Sequence, residues 1–166
     1  MSRLIEKDIK NVEYIKQNNP ECLPVIQEIG CFFRCACHLA ELVTRKVLSA
    51  ADLNFLWEEC KKLKLINDND DVQDSAKIAN IALSLLWGKG RFIEIGLKKD
   101  NITALYRWAQ NTGLKPNYWI KKINQGGKHK THFDVVNENE KIIFDPHFPN
   151  IASKGDIYTI CYYYES

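Results

Sequence analysis

The 166-residue chain is 45% hydrophobic and 27% charged, the composition of a globular domain that can bury a core without covalent staples. Its formal charge of +2 is too small to argue for nucleic acid or a membrane surface as partner. No run has the length of a membrane span, since the longest apolar patch, Ile78 to Trp87, is interrupted by Asn80 and Ser84.

In chain order, Leu4, Ile5, Ile9, Val12 and Ile15 predict an amphipathic first helix that stops at Asn18-Asn19-Pro20. Charges alternate through it, unlike the continuous apolar core of a signal peptide, so a cytoplasmic location is expected. A second helix is predicted from about Cys31 to Val47. A third follows Ser49, where Asp52 takes the Glu position of a capping box, and carries Leu53, Leu56, Trp57 and Leu63. After the acidic loop Asn67 to Asp71, a further helix covers about Gln73 to Leu86 and stops at Gly88-Lys89-Gly90. The period then changes. Arg91 to Leu97 alternates like a strand, and Asn101 to Gln110 reads as a short helix closed by Gly113. Asn117 to Ile123, Thr131 to Val136, Lys141 to Asp145 and Ile157 to Tyr164 read as strands. Helices followed by a mostly antiparallel sheet define an α+β architecture. With no internal repeat or linker tract, residues 1–166 are expected to form one domain.

Two runs flanking Asn137-Glu138-Asn139-Glu140 predict a hairpin. A two-residue loop at Glu138-Asn139 would set Val136 opposite Lys141, Val135 opposite Ile142 and His132 opposite Asp145. Paired Cβ atoms lie roughly 4.5–5.5 Å apart, within reach of a carboxylate for an imidazole. The same register gathers Phe133, Val135, Ile142 and Phe144 on an apolar face. A His–Asp pair either holds a catalytic base in one tautomer or merely stabilises a face; a three-residue loop would separate it.

Pro24 and Gly30 precede the second helix, whose polar residues Arg34, His38, Glu41 and Arg45 form a narrow stripe expected to reach solvent or a cleft. Cys31 occupies the first turn, at the margin of that stripe. Unpaired N–H groups and the positive end of the helix dipole favour a thiolate there. Cys22, Cys35, Cys37, Cys60 and Cys161 are expected to be buried, reduced thiols, with Cys35 a fallback nucleophile. A zinc site from Cys31, Cys35, Cys37 and His38 is disfavoured because one helix sprays these side chains around its axis. Gln27, ahead of Cys31, is a candidate donor to an oxyanion or simply a loop residue.

Together these residues resemble the papain-like cysteine peptidases, most closely the branch of bacteriocin-processing, double-glycine peptidases. The matching text is Gln27…Gly30-Cys31, then His132-Phe-Asp-Val-Val136, then Phe144-Asp145-Pro146. The chain is also similar to a spirochaetal plasmid-encoded group. Two positions depart from the pattern: the family glutamine stands further ahead of its cysteine, and Phe32 takes the place of the family's glycine. The resemblance spans about Val25 to Pro149. It implies a papain-like fold and a thiol-dependent peptidase or amidase acting on a peptide or protein substrate. Cys31 would be the nucleophile, His132 the base, Asp145 its orienting group and Gln27 the oxyanion donor. No cofactor or metal is expected. His129 and His147 are competing bases, and the basic loop Gln125 to Lys130 is a candidate cleft rim. The alternative is a papain-like fold that binds protein or peptide without catalysis. A nucleic-acid role would rest on Lys121, Lys122, Lys128 and Lys130 with Tyr118 and Trp119, and is disfavoured by the near-neutral charge.

Overall fold

A computed structural model describes residues 13–98, 107, 110–124, 131–147 and 156–166. Among the described residues, four helices, α1 (Pro24–Ile29), α2 (Cys31–Thr44), α3 (Ala50–Lys62) and α4 (Ser75–Leu85), precede five strands. The strands are β1 (Arg91–Leu97), β2 (Tyr118–Asn124), β3 (Thr131–Val136), β4 (Ile142–Phe144) and β5 (Asp156–Glu165). They form one antiparallel sheet in the order β1-β5-β2-β3-β4. The architecture is α+β. No helix among the described residues is long and apolar enough to cross a membrane.

Local chemistry fixes several boundaries. At α3 the Ser49 side chain accepts from Asp52 N–H while the Asp52 carboxylate accepts from Ser49 N–H, both at 3.0 Å, completing the capping box. Asp74 caps α4 by accepting from Lys77 N–H. Pro24 opens α1, where a missing N–H costs nothing. Gly30 separates α1 from α2; a Cβ there would lie 2.5 Å from the Ile26 carbonyl oxygen, so the chain can turn this tightly only with glycine.

The central helix is α2. Phe33, Cys35, Ala36, Cys37, Leu39 and Ala40 are buried in one cluster with Ile120, Val135, Phe144, Ile160 and Tyr162 of the sheet. Phe33 meets Trp57 of α3 edge-on, with ring centroids 5.1 Å apart. Burying α2 against β3 brings the start of the helix beside the start of the strand.

The structure corrects several expectations. Residues 1–12, which hold most of the expected first helix, lie outside the described residues, and Glu13–Lys16 are not helical. This segment is pinned instead by contacts: Tyr14 packs edge-on against His38, and the Ile15 carbonyl accepts from Arg34 Nε at 2.6 Å. Asn101 to Gln110 lies largely outside the described residues. The polar stripe of α2 does not reach solvent: Arg34, His38 and Glu41 are buried, and only Arg45 is exposed. The three neutralise one another, because Glu41 accepts from Arg34 Nη2 at 2.7 Å, contacts His38 Nδ1 at 2.8 Å and accepts from Leu48 N–H at 2.8 Å.

The hairpin register differs too. Val136 pairs with Ile142 and Val135 with Phe144, across an irregularity in β4. The loop is longer than two residues, with Glu140 at φ +62° and its N–H bonded to the Asn137 carbonyl. Asn137 Oδ1 accepts from the N–H groups of Asn139 and Lys141, which stabilises the longer turn.

Candidate active site

A cleft of about 690 Å³ opens where α2 and β3 begin, bounded by Cys31, Phe32, His132, Phe133 and, from the first segment, Gln17. The acidic loop reaches it through Asn69 to Val72. Phe32 and Phe133 stack at 4.1 Å, forming an apolar floor. Lys122 Nζ lies 5.6 Å from the Phe133 ring and 5.3 Å from that of Tyr158, a cation held over two aromatic faces. A second depression of about 670 Å³, between Glu13 to Pro20 and β4, contains neither Cys31 nor His132.

All six thiols are free, and of the six only Cys31 is not buried. Gly30, the N-cap of α2, has no side chain to occupy the first-turn N–H groups. Cys35 is enclosed, donating to the Phe133 carbonyl at 3.3 Å, and burial pushes its thiol well up. Burial likewise raises Cys22 and Cys37, takes Cys60 to about 12 and Cys161 to about 11. These five have neither the access nor the acidity of a nucleophile.

His132, at the start of β3, presents Nε2 to the Asp145 carboxylate at 2.8 Å. Burial by itself would lower the imidazole's pKa, but Asp134, Asp145 and Cys31 outweigh it and push it up to about 11. These neighbours favour the charged form of the ring. With Nε2 turned to carboxylate, Nδ1 is the ring nitrogen left for the interaction with Cys31.

Asp145 lies just beyond β4, outside the paired strand. Its Oδ1 also accepts from His147 N–H at 2.9 Å, which aims the carboxylate, and its carbonyl accepts from Lys16 Nζ. His132 and Asp145 thus meet although the hairpin register that suggested their meeting does not form. His147 lines the cleft, and the part it plays toward Asp145 here is through its backbone. His129 and the loop 125–130 lie outside the described residues.

Gln27 is not brought to the cleft: its Nε2 donates to the Cys22 carbonyl at 2.7 Å. Gln17 is. Its backbone N–H donates to the Pro146 carbonyl at 2.6 Å, and its buried side chain lines the cleft with Cys31 and His132. Its Nε2 makes only long contacts, 3.4 Å to the Ile26 carbonyl and 3.3 Å to that of Gln27. Sequence reasoning passed over Gln17 because a short helix, α1, intervenes before Cys31.

Asp134 was also missed. It follows His132 by two residues on a strand and so shares its face, with Oδ1 3.2 Å from the same Nε2. His132, Asp134 and Asp145 offer donor atoms within 4.8 Å of one another, the three-ligand set among the described residues that could take a cation. It would do so by giving up the His132–Asp145 hydrogen bond. The cysteine–His38 set is not gathered: His38 stacks on Phe144 at 3.9 Å and is engaged by Glu41. On β2, Tyr118 belongs to an aromatic cluster with Phe92 and Tyr164, and the strand is internal to the sheet.

No protein-family model, curated protein or solved structure matches the chain. The functional reading rests on this geometry.

Proposed function

We propose that the chain is a papain-like, thiol-dependent hydrolase that cleaves a peptide or amide bond. The observation that carries this reading is the cleft shared by Cys31, the one thiol not buried, and His132, whose Nε2 is held by Asp145.

Cys31, having given its proton to His132 Nδ1, attacks the substrate carbonyl as a thiolate. Negative charge develops on the carbonyl oxygen, where the Gln17 amide and the N–H groups opening α2 stabilise it. The imidazolium returns its proton to the leaving amine as the carbon–nitrogen bond breaks. A thioester to Cys31 remains. His132 then removes a proton from water, the resulting hydroxide attacks the thioester, and the acid departs with the thiol restored. Asp145 keeps the ring oriented and its cation stabilised throughout. Relative to the expectation from sequence, Gln17 replaces Gln27 in the oxyanion role.

The test is the pH dependence of Cys31 alkylation by iodoacetamide, read by site-resolved mass spectrometry beside His132→Ala. Rapid labelling at pH 6 to 7, confined to Cys31 and slowed in the variant, is expected. Labelling at the rate of a free thiol and unchanged in the variant would remove the dyad, leaving a cleft that binds peptide without cutting it.

A further inference from the structure

His132 is served by two carboxylates where a Cys–His–Asp arrangement needs one. Resting on the thiol–imidazole reading above, we infer that Asp134 is a positioning residue: a second counter-ion to the His132 imidazolium, facing the same ring nitrogen as Asp145.

Three observations support the assignment. Asp134 is fully buried, with side-chain exposure of 0%, so its charge is not screened by water. Neither of its oxygens has a hydrogen-bond partner among the described residues. A buried carboxylate without donors is costly unless a cation faces it, and the closest is His132 Nε2 at 3.2 Å. Finally, Asp145 takes the same nitrogen at 2.8 Å, so the two carboxylates bracket a single ring position.

The charged groups around the ring come from each neighbouring element. Cys31 faces it from α2, Asp134 from β3 and Asp145 from the segment after β4. Lys121, paired with Asp134 across the β2–β3 ladder, opposes its carboxylate charge, and Lys16 from the first segment does the same for Asp145. With thiolate, imidazolium and both carboxylates ionised, the four groups sum to −2. A field of that sign holds the ring proton; burial raises the Asp134 carboxyl pKa, and the Asp145 charge adds to it against the opposing pull of His132 and Lys121. The two groups therefore titrate as a coupled pair.

The experiment is NMR titration of the His132 ring in ¹⁵N-histidine-labelled protein, native and Asp134→Asn, with His132→Ala supplying the assignment. The near-isosteric amide removes the charge and keeps the volume. His132 is expected to titrate at least about one pH unit lower, a tenfold loss of proton affinity. In the native chain the ¹³C signal of the Asp134 carboxyl should share an inflection with the ring, a measurement that stands even if the variant fails to fold. An unshifted His132 in Asp134→Asn, or an Asp134 carboxyl that stays protonated throughout the range where the ring is charged, overturns the inference. Failure of the dyad itself reads differently: Cys31 alkylation is then unchanged in His132→Ala, whatever the ring titration does.

Discussion

The sharpest division between the glutamine suggested by sequence and the one the fold delivers is a pair of substitutions, Gln17→Ala and Gln27→Ala. Gln17 lines the cleft, and its Nε2 holds two carbonyls at 3.3 and 3.4 Å, bonds weak enough to be exchanged for a stronger acceptor. Removing one donor to an oxyanion costs about 2.7–4 kcal/mol in the transition state, or roughly 10²–10³ in rate. Losing two long contacts to the end of α1 costs about 1 kcal/mol of stability. Gln27 is already committed to Cys22, so its loss should leave the rate nearly unchanged while costing a similar stability increment. The assay compares two electrophiles on Cys31. Acylation by p-nitrophenyl acetate builds an oxyanion; alkylation by iodoacetamide does not. Gln17→Ala should slow acylation by about two orders of magnitude or more and leave alkylation within about twofold. Equal slowing of both reactions, or a larger acylation defect in Gln27→Ala, would refute the assignment.

Three further outcomes follow from the same contacts. Glu41→Ala strands Arg34 and Leu48 N–H in the core and should destabilise the fold by about 3–5 kcal/mol in denaturant titration. Cys35→Ala should leave Cys31 labelling intact, whereas Cys31→Ala should abolish the rapid phase without transferring it to the enclosed Cys35. Stability should fall on the alkaline side. The His132 pKa is raised on folding to about 11, so its contribution is complete below about 6.5 and is lost as pH rises through the folded value. Cys60 and Cys161, held up by burial to about 12 and about 11, add to that loss above about pH 8.5, where unfolded thiols ionise. In a Cys31→Ala background, where no thiol ionises on folding to offset the ring proton, adding His132→Ala should make the slope of unfolding free energy against pH between 7 and 9 shallower by up to about 1.4 kcal/mol per unit; an unchanged slope would contradict a raised imidazole.

What could be read from sequence was governed by how local its cause is. The capping box of Ser49 and Asp52 is closed within four residues, and β1 and β3 carry their own alternation, so their bounds were legible. The stripe of Arg34, His38 and Glu41 was legible as a stripe but not as a buried one. Periodicity records which side chains share a face and says nothing of the Ile15 carbonyl and Leu48 N–H that let those charges go inside. The six-residue α1 is too short to show a period, and missing it hid the route by which Gln17 enters the cleft.

The His132–Asp145 pair shows why a correct contact can come from an incorrect register. Pairing by a two-residue loop assumed that the strands stay in step to Asp145, whereas Glu140 in the left-handed region and the irregularity in β4 displace the ladder. The displacement carries Asp145 past the end of pairing, where its carboxylate is no longer constrained by pleat. The N–H of His147 then turns it back to Nε2. Inside the strand the pleat is obeyed, and it delivers Asp134, two residues from His132, to the same nitrogen without any help from the turn. Of the two carboxylates, the one fixed by strand geometry is the one that a motif reading passes over, and the one a motif reading selects depends on a bulge and a backbone hydrogen bond. Loosening the turn, by replacing Asn137 and so its two side-chain bonds, should therefore weaken the contact with Asp145 while leaving that with Asp134 in place.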